Sequence, residues 1–268
     1  MSSLDSFFES IALPSMNEVA HALIQSLGDE TASVDQISQI IEKDPALSAR
    51  LLGLANSAQF GLPRGVDNLD EAIALVGMSR VRSLALGACM ATAFPNLPGL
   101  DRQAFWKSSM ACAGYAQWLA GGVGIEPQVA WLTGMMLRLG EILIGQAEPK
   151  ALQAIEKLPM QPGDRWLREK QLVGFSEGRI TAELARRWNF PMQMVQALQC
   201  SSEPLVEQAF SRLGAVLHLA CLLADTPHSG PAALDILPVE VIDSLKLDLV
   251  WMGDTLPDKS NFLTLSLP

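Results

Sequence analysis

Apolar residues recur at spacings of three and four along nearly the whole chain, the period of helices that each bury one face. Met16, Val19, Ala20, Leu23, Ile24 and Leu27 form the first stripe, with a capping box read at Ser15-Met16-Asn17-Glu18 and Gly28 as its stop. Ser33-Val34-Asp35-Gln36 repeats the device ahead of Ile37, Ile40 and Ile41. Asp44 then reads as an N-cap with Pro45 at the first helical position, where a missing N–H costs nothing. Leu47, Leu51, Leu54, Ala55 and Ala58 follow as one stripe, Asn56 and Ser57 add polar side chains near its end, and Gly61 is the expected stop. Asp67 or Asn68 caps a helix ending at Gly77, and Ser79 opens the next.

Phe94 to Asp101, with two prolines and a glycine, reads as an internal linker. Beyond it Asp101 caps a helix through Leu119, which Gly121-Gly122 is expected to end; Gly121-Gly122-Val123-Gly124 reads as a helix terminator rather than a phosphate loop. Pro127 to about Ile144 is apolar on nearly every face, as one central buried helix would be. Ser176–Trp188, Pro191–Cys200 and Leu205–Leu223 follow, then an amphipathic helix over Val239–Trp251. No alternating run is long enough for a sheet. The fold class is all-α, a multi-helix bundle of two packed helical subdomains, 1–100 and 101–225, with a C-terminal helical extension at 226–268.

The 268 residues are 49% hydrophobic and 18% charged, which excludes a disordered chain. A net charge of −10 argues against nucleic-acid binding and against an anionic membrane surface. No apolar run reaches the ~18 residues of a spanning helix, and the first residues lack a signal-peptide pattern. The expectation is a cytoplasmic protein. Cys89, Cys112, Cys200 and Cys221 lack metal-site spacing and read as small buried hydrophobes.

The stretch Asp44 to Gly61 (DPALSARLLGLANSAQFG), with Leu13-Pro14 before it and Ala72 to Leu84 (AIALVGMSRVRSL) after it, resembles the HDOD family of bacterial signalling domains, relatives of the HD metal-dependent phosphohydrolases. The resemblance covers roughly Ile11 to Ala224 and makes 101–225 an HD-like subdomain. HD enzymes hold divalent metals with inward-facing His and Asp, so that a bound water is acidified for attack on phosphorus.

This chain has only His21, His218 and His228. By the resemblance, Ser108 stands at the first ligand position, Leu137-Arg138 replaces the His-Asp dyad, Glu177 stands near a further histidine position, and Ser201-Ser202 replaces paired histidines. Leucine cannot ligate, and Arg138 places a fixed positive charge where a dication would sit. Glu177 is expected to face Arg138 across the old cavity. No metal and no cofactor are therefore expected, nor catalysis.

Asp44, Asn56 and Ser57 could make a polar cluster for a partner or ligand, with Arg138 and Glu177 as further candidates, although a helix cap alone explains Asp44. His218 reads as a core histidine. Arg64, Arg80 and Arg82 read as solvated helix faces, and Arg186 or Arg187 could stack on Trp188. Met110, Met135, Met136, Met192 and Met194 are core filler by default. The reading is a non-catalytic module of bacterial regulation that binds a protein partner; the alternatives are a nucleotide or small-molecule sensor using the vestigial cavity, or a residual phosphohydrolase.

Overall fold

In the computed structural model, residues 4–27, 29, 31–57, 65–94, 96–157, 161–206 and 210–262 are described. The expected stops Gly28 and Gly61, together with Ala58 and Arg64, lie outside them. Every regular element among the described residues is helical. The first group comprises α1 (Leu4–Glu9), α2 (Glu18–Ser26), α3 (Val34–Glu42), α4 (Pro45–Ala55), α5 (Leu69–Val76) and α6 (Met78–Ala93). The second comprises α7 (Arg102–Val123), α8 (Pro127–Leu137), α9 (Leu139–Ala147), α10 (Pro149–Glu156), α11 (Asp164–Leu172), α12 (Glu177–Arg187), α13 (Met192–Cys200) and α14 (Arg212–Asp225). A 3₁₀ turn (Gly230–Ile236), α15 (Val239–Leu245), α16 (Leu249–Thr255) and a last 3₁₀ turn (Lys259–Phe262) complete the described residues.

The caps act largely as their residue types dictate. Ser33 and Gln36 form the reciprocal capping box, Asp44 accepts from Ala46 N and Leu47 N, and Asp101 accepts from Ala104 N at 3.0 Å. Asn68, not Asp67, caps α5. Asn17, not Ser15, caps α2, accepting from Ala20 N at 2.8 Å and leaving Glu18 as the first helical residue. Gly77, at φ 91°, lets α6 start at once from Met78, bent 107° from α5.

α7 forms the axis of the second group, packed on α8 and α14, while α12 packs on α13 and α9. α6 leans on α8, and one hydrophobic cluster includes residues of both groups. All four cysteines are buried, as are Met110, Met135, Met136 and Met194; Met192 is exposed. Among the described residues no single helix is long and apolar enough to cross a membrane.

Four expected boundaries move, each through a contact that sequence periodicity does not carry. α7 runs through Gly121-Gly122 and stops at left-handed Gly124 (φ 68°). Gly122 is needed inside the helix because a Cβ there would lie 2.7 Å from the Trp251 ring. The stretch 127–144 is two helices broken at Arg138. α14 begins at Arg212, where Ser211 caps Gly214 N, rather than at Leu205. Lys246, in the left-handed region (φ 57°), splits the expected 239–251 helix, and Asp248 recaps it.

The C-terminal extension packs along α7. Trp251 stacks on Trp118 (5.2 Å, 12°), and Phe262 meets Tyr115 edge-on at 4.9 Å.

α9 and α12 cross closely at Gly140, where a Cβ would stand 2.2 Å from the Glu177 carbonyl oxygen. Backbone cannot yield as a side-chain tip can. Gly140→Ala should lower the unfolding free energy by about 3 kcal/mol in urea denaturation. Gly53→Ala, on the open face of α4 with nothing within 4 Å, should raise it by about 0.5–1 kcal/mol.

Candidate functional site

The break between α8 and α9 creates the site. Thr181 of α12 stitches it, its hydroxyl donating to Leu137 O (2.9 Å) and accepting from Gly140 N (2.8 Å). With the backbone held there, Leu137 points into the core, fully buried, and Arg138 turns toward a cavity of about 240 Å³. Ser108 and Phe105 of α7 line that cavity together with Arg138, Glu141, Arg165 and Asp225. Ser108 and Arg138, read from sequence as two former ligand positions, thus share one cavity.

Arg138 is 4% exposed. Its Nη1 donates to Glu141 Oε1 at 2.9 Å, while its Nη2 pairs with Asp225 and lies 3.4 Å from Cys221 Sγ. Burial opposes the charge, yet Asp225, Cys221, Glu177 and Glu141 around it hold the guanidinium's pKa above its ordinary value. Glu141 Oε1 also faces Arg165 Nε at 3.4 Å, so one carboxylate lies between two guanidiniums. Burial would raise Glu141, but Arg165 and then Arg138 bring it below the usual carboxylate range. Arg165 reaches on to Glu156 at the rim and, at 3.5 Å, to Glu169 Oε1.

Glu177 lies deeper and is fully buried. The expected Arg138–Glu177 ion pair is not the arrangement found. Arg138 spends its donors on Glu141 and Asp225, and Glu177 Oε1 instead accepts from Trp166 Nε1 at 3.0 Å. The two residues remain in one electrostatic cluster. Glu169 Oε2 accepts from Glu177 N at 2.6 Å, and neither Glu169 Oε1 nor Glu177 Oε2 accepts a hydrogen bond. Burial, reinforced by Glu141 and opposed by Arg165, pushes Glu169 up to about 8. Burial and the carboxyls of Glu169 and Glu141 raise Glu177 well above its usual range. A protonated Glu177 can donate to neighbouring Glu141, turning a repulsion into a hydrogen bond.

Ser201 and Ser202 stand apart from this network. Ser201 Oγ donates to Leu198 O (2.8 Å) and its carbonyl meets His218 Nδ1 (2.8 Å); Ser202 Oγ bonds Ser176 Oγ (3.2 Å). His218 stacks on Trp166 at 4.8 Å and is a core histidine whose pKa burial lowers.

Asp44 and Asn56 do not form one cluster. They cap opposite ends of the 11-residue α4, about 18 Å apart. Asn56 is consumed by the Val66 backbone, donating to its carbonyl and accepting from its N–H at 2.7 Å each, next to Ser57. Arg82 holds the carbonyl of Ser26, and Arg187 lies over Phe8 (4.7 Å) rather than Trp188.

Sequence reasoning missed Glu141, Arg165, Glu169 and Asp225. Glu141, one turn after Arg138, carried a signal; Asp225 was read only as the last residue of the 101–225 subdomain.

A divalent metal of the HD type does not fit these residues. Among those described, no three His, Cys, Asp or Glu side chains are grouped to hold an ion. The carboxylates nearest the cavity already serve two guanidiniums.

Removing one partner from such a network strands the others. Arg138→Leu should cost about 3–5 kcal/mol in chemical denaturation, with Glu141 and Asp225 the stranded groups. Glu177→Gln, which keeps an acceptor for Trp166 and needs no proton, should change stability by less than about 1 kcal/mol.

Comparison with known proteins agrees with the all-helical fold. A candidate phosphohydrolase from Shewanella amazonensis SB2B superposes with a TM-score of 0.76 at 28% identity, over 94% of this chain and 92% of that one. An HDOD domain protein of unknown function from Geobacter sulfurreducens gives a TM-score of 0.70 at 19% identity, over 95% and 97%. An uncharacterized protein of Treponema pallidum (strain Nichols) is 26% identical over 183 residues, 65% of this chain; the chain spans about a third (34%) of that curated relative's length. The HDOD domain profile matches residues 13–204, and the chain belongs to the HDOD domain family.

Proposed function

We propose that this chain is a non-catalytic HDOD module of signal transduction, a helical scaffold that binds a protein partner. The observation that carries the reading is Arg138, whose guanidinium is locked by Glu141 and Asp225 at the position where a hydrolytic relative would need a dication. A guanidinium donates hydrogen bonds but offers no open coordination position at which to acidify a water. Leu137 beside it is buried core. For a partner, the surface offers solvent-exposed Met192, Leu205, Val206 and Phe210 around the α13–α14 connection.

The sensor reading is favoured by the cavity itself, which retains about 240 Å³ and a hydroxyl at Ser108. Opposing it, the guanidiniums of Arg138 and Arg165 are already engaged by carboxylates, so an anionic ligand would have to displace Asp225 or Glu156.

The deciding experiment incubates the protein with manganese, iron or zinc, desalts it, and measures bound metal alongside hydrolysis of bis(p-nitrophenyl) phosphate. Trace metal and no nitrophenolate release are expected. Stoichiometric metal with turnover would establish a phosphohydrolase instead. A nucleotide thermal-shift screen on the same protein should give no shift; a saturable shift that Arg138→Leu abolishes would support the sensor.

A further inference from the structure

Helix α11 is packed inside out. Its inward face carries Arg165, Trp166 and Glu169, while Leu167 (61% exposed) and Leu172 (48%) face solvent. Trp166, with Val173 just beyond the helix, supplies its main apolar anchorage; the rest is charge and hydrogen bonding. The groups facing it come from every element around. α9 presents Glu141, α10 Glu156 and α12 Glu177. α14 presents His218, stacked on Trp166, and behind it Cys221 and Asp225, which share Arg138. Lys259 bonds the Ala224 carbonyl near Asp225, and at the rim Lys170 pairs with Glu203 at 2.5 Å.

Against these, five carboxyl groups (Glu141, Glu156, Glu169, Glu177 and Asp225) share two guanidiniums (Arg138 and Arg165). Glu169 is the carboxyl of α11 itself. It is wholly buried, its nearest cation is 3.5 Å away without a hydrogen bond, and its one bonded oxygen holds the N-terminus of α12. A negative charge there has one distant guanidinium and one N–H to compensate it, and burial raises the carboxyl.

We propose that α11 is a pH-gated element of the bundle, docked while Glu169 carries a proton and released as that proton is lost. Docked, Glu169 is held up to about 8, chiefly by burial; released into water it returns to the ordinary ~4.3. Between those values the docked state binds a proton that the released state lacks. Low pH therefore favours docking, release grows about tenfold per pH unit from about 5 to 8, and the dependence levels off above. Release would unmask Arg165, Trp166 and the wall of the cavity.

The test is native-state hydrogen exchange at about pH 5.5, 6.5, 7.5 and 8.5, corrected for intrinsic amide chemistry, in a Glu177→Gln background that removes the other raised carboxyl facing α11. Opening of the α11 amides should rise about tenfold per unit to about pH 8 and then flatten, with α7 unchanged. Adding Glu169→Gln should remove the slope. A slope shared equally by α7, or one that persists in Glu169→Gln, overturns the proposal. Should the double variant fail to fold, the infrared spectrum of Glu177→Gln decides: a buried protonated-carboxyl band at about pH 6 that bleaches toward about pH 9 supports the gate, and its absence overturns it.

Discussion

Everything around the cavity depends on Glu141 holding two guanidiniums at once. Its carboxylate receives Arg138 from the α8–α9 break and Arg165 from α11, and these arginines reach on to Asp225 of α14 and Glu156 of α10. Four helices are thereby tied through one buried anion. Such networks add little net stability compared with apolar packing of equal volume, because burying each charge costs several kcal/mol. They are costly to break, however, and they fix geometry. A Leu at 138 fits many packings, whereas a forked guanidinium between two carboxylates fits one.

On the proposed non-catalytic reading, the same arrangement takes the structural part that a metal ion plays in an HD-type enzyme. A metal ion joins ligands from several helices and also supplies reactivity. Arg138 can do only the first of these. It links α9 to α14 by directional hydrogen bonds, and it leaves Ser108, across the cavity, with nothing to ligate. Retaining a similar fold beside a candidate phosphohydrolase is therefore compatible with a different activity, since function resides in the site rather than the scaffold.

The helices were legible in the sequence because their signals are local: the capping box at Ser33, the caps at Asp44 and Asp101, the apolar stripes between them. Two of the four boundaries that moved depend on distant partners, while α14 and the 239–251 split are set by the local geometry of Ser211, Lys246 and Asp248. Thr181 satisfies the backbone at the α8–α9 break more than 40 residues away in sequence (|i−j| = 41 and 44), and Trp251 fills the space that Gly122 leaves. The site divides in the same way. Ser108, Arg138 and Glu177 were found because a family resemblance marks positions. Asp225 was missed because its pairing with Arg138 spans 87 residues, and Asp44 with Asn56 failed as a cluster because a helix separates them.

Helix α11 shows why pattern reading inverts at such a place. Periodicity assigns leucines to the interior and charges to solvent, which holds where the neighbouring surface is apolar. Here the neighbouring surface already carries Glu141, Glu156 and Glu177, so the complementary face is the one bearing Arg165 and Glu169, and Leu167 and Leu172 are turned outward. An apolar helix face is indifferent to pH; one that buries a carboxyl such as Glu169, whose pKa burial raises, is not. An interior built from paired charges in this way is the docking face on which the proposed gate acts.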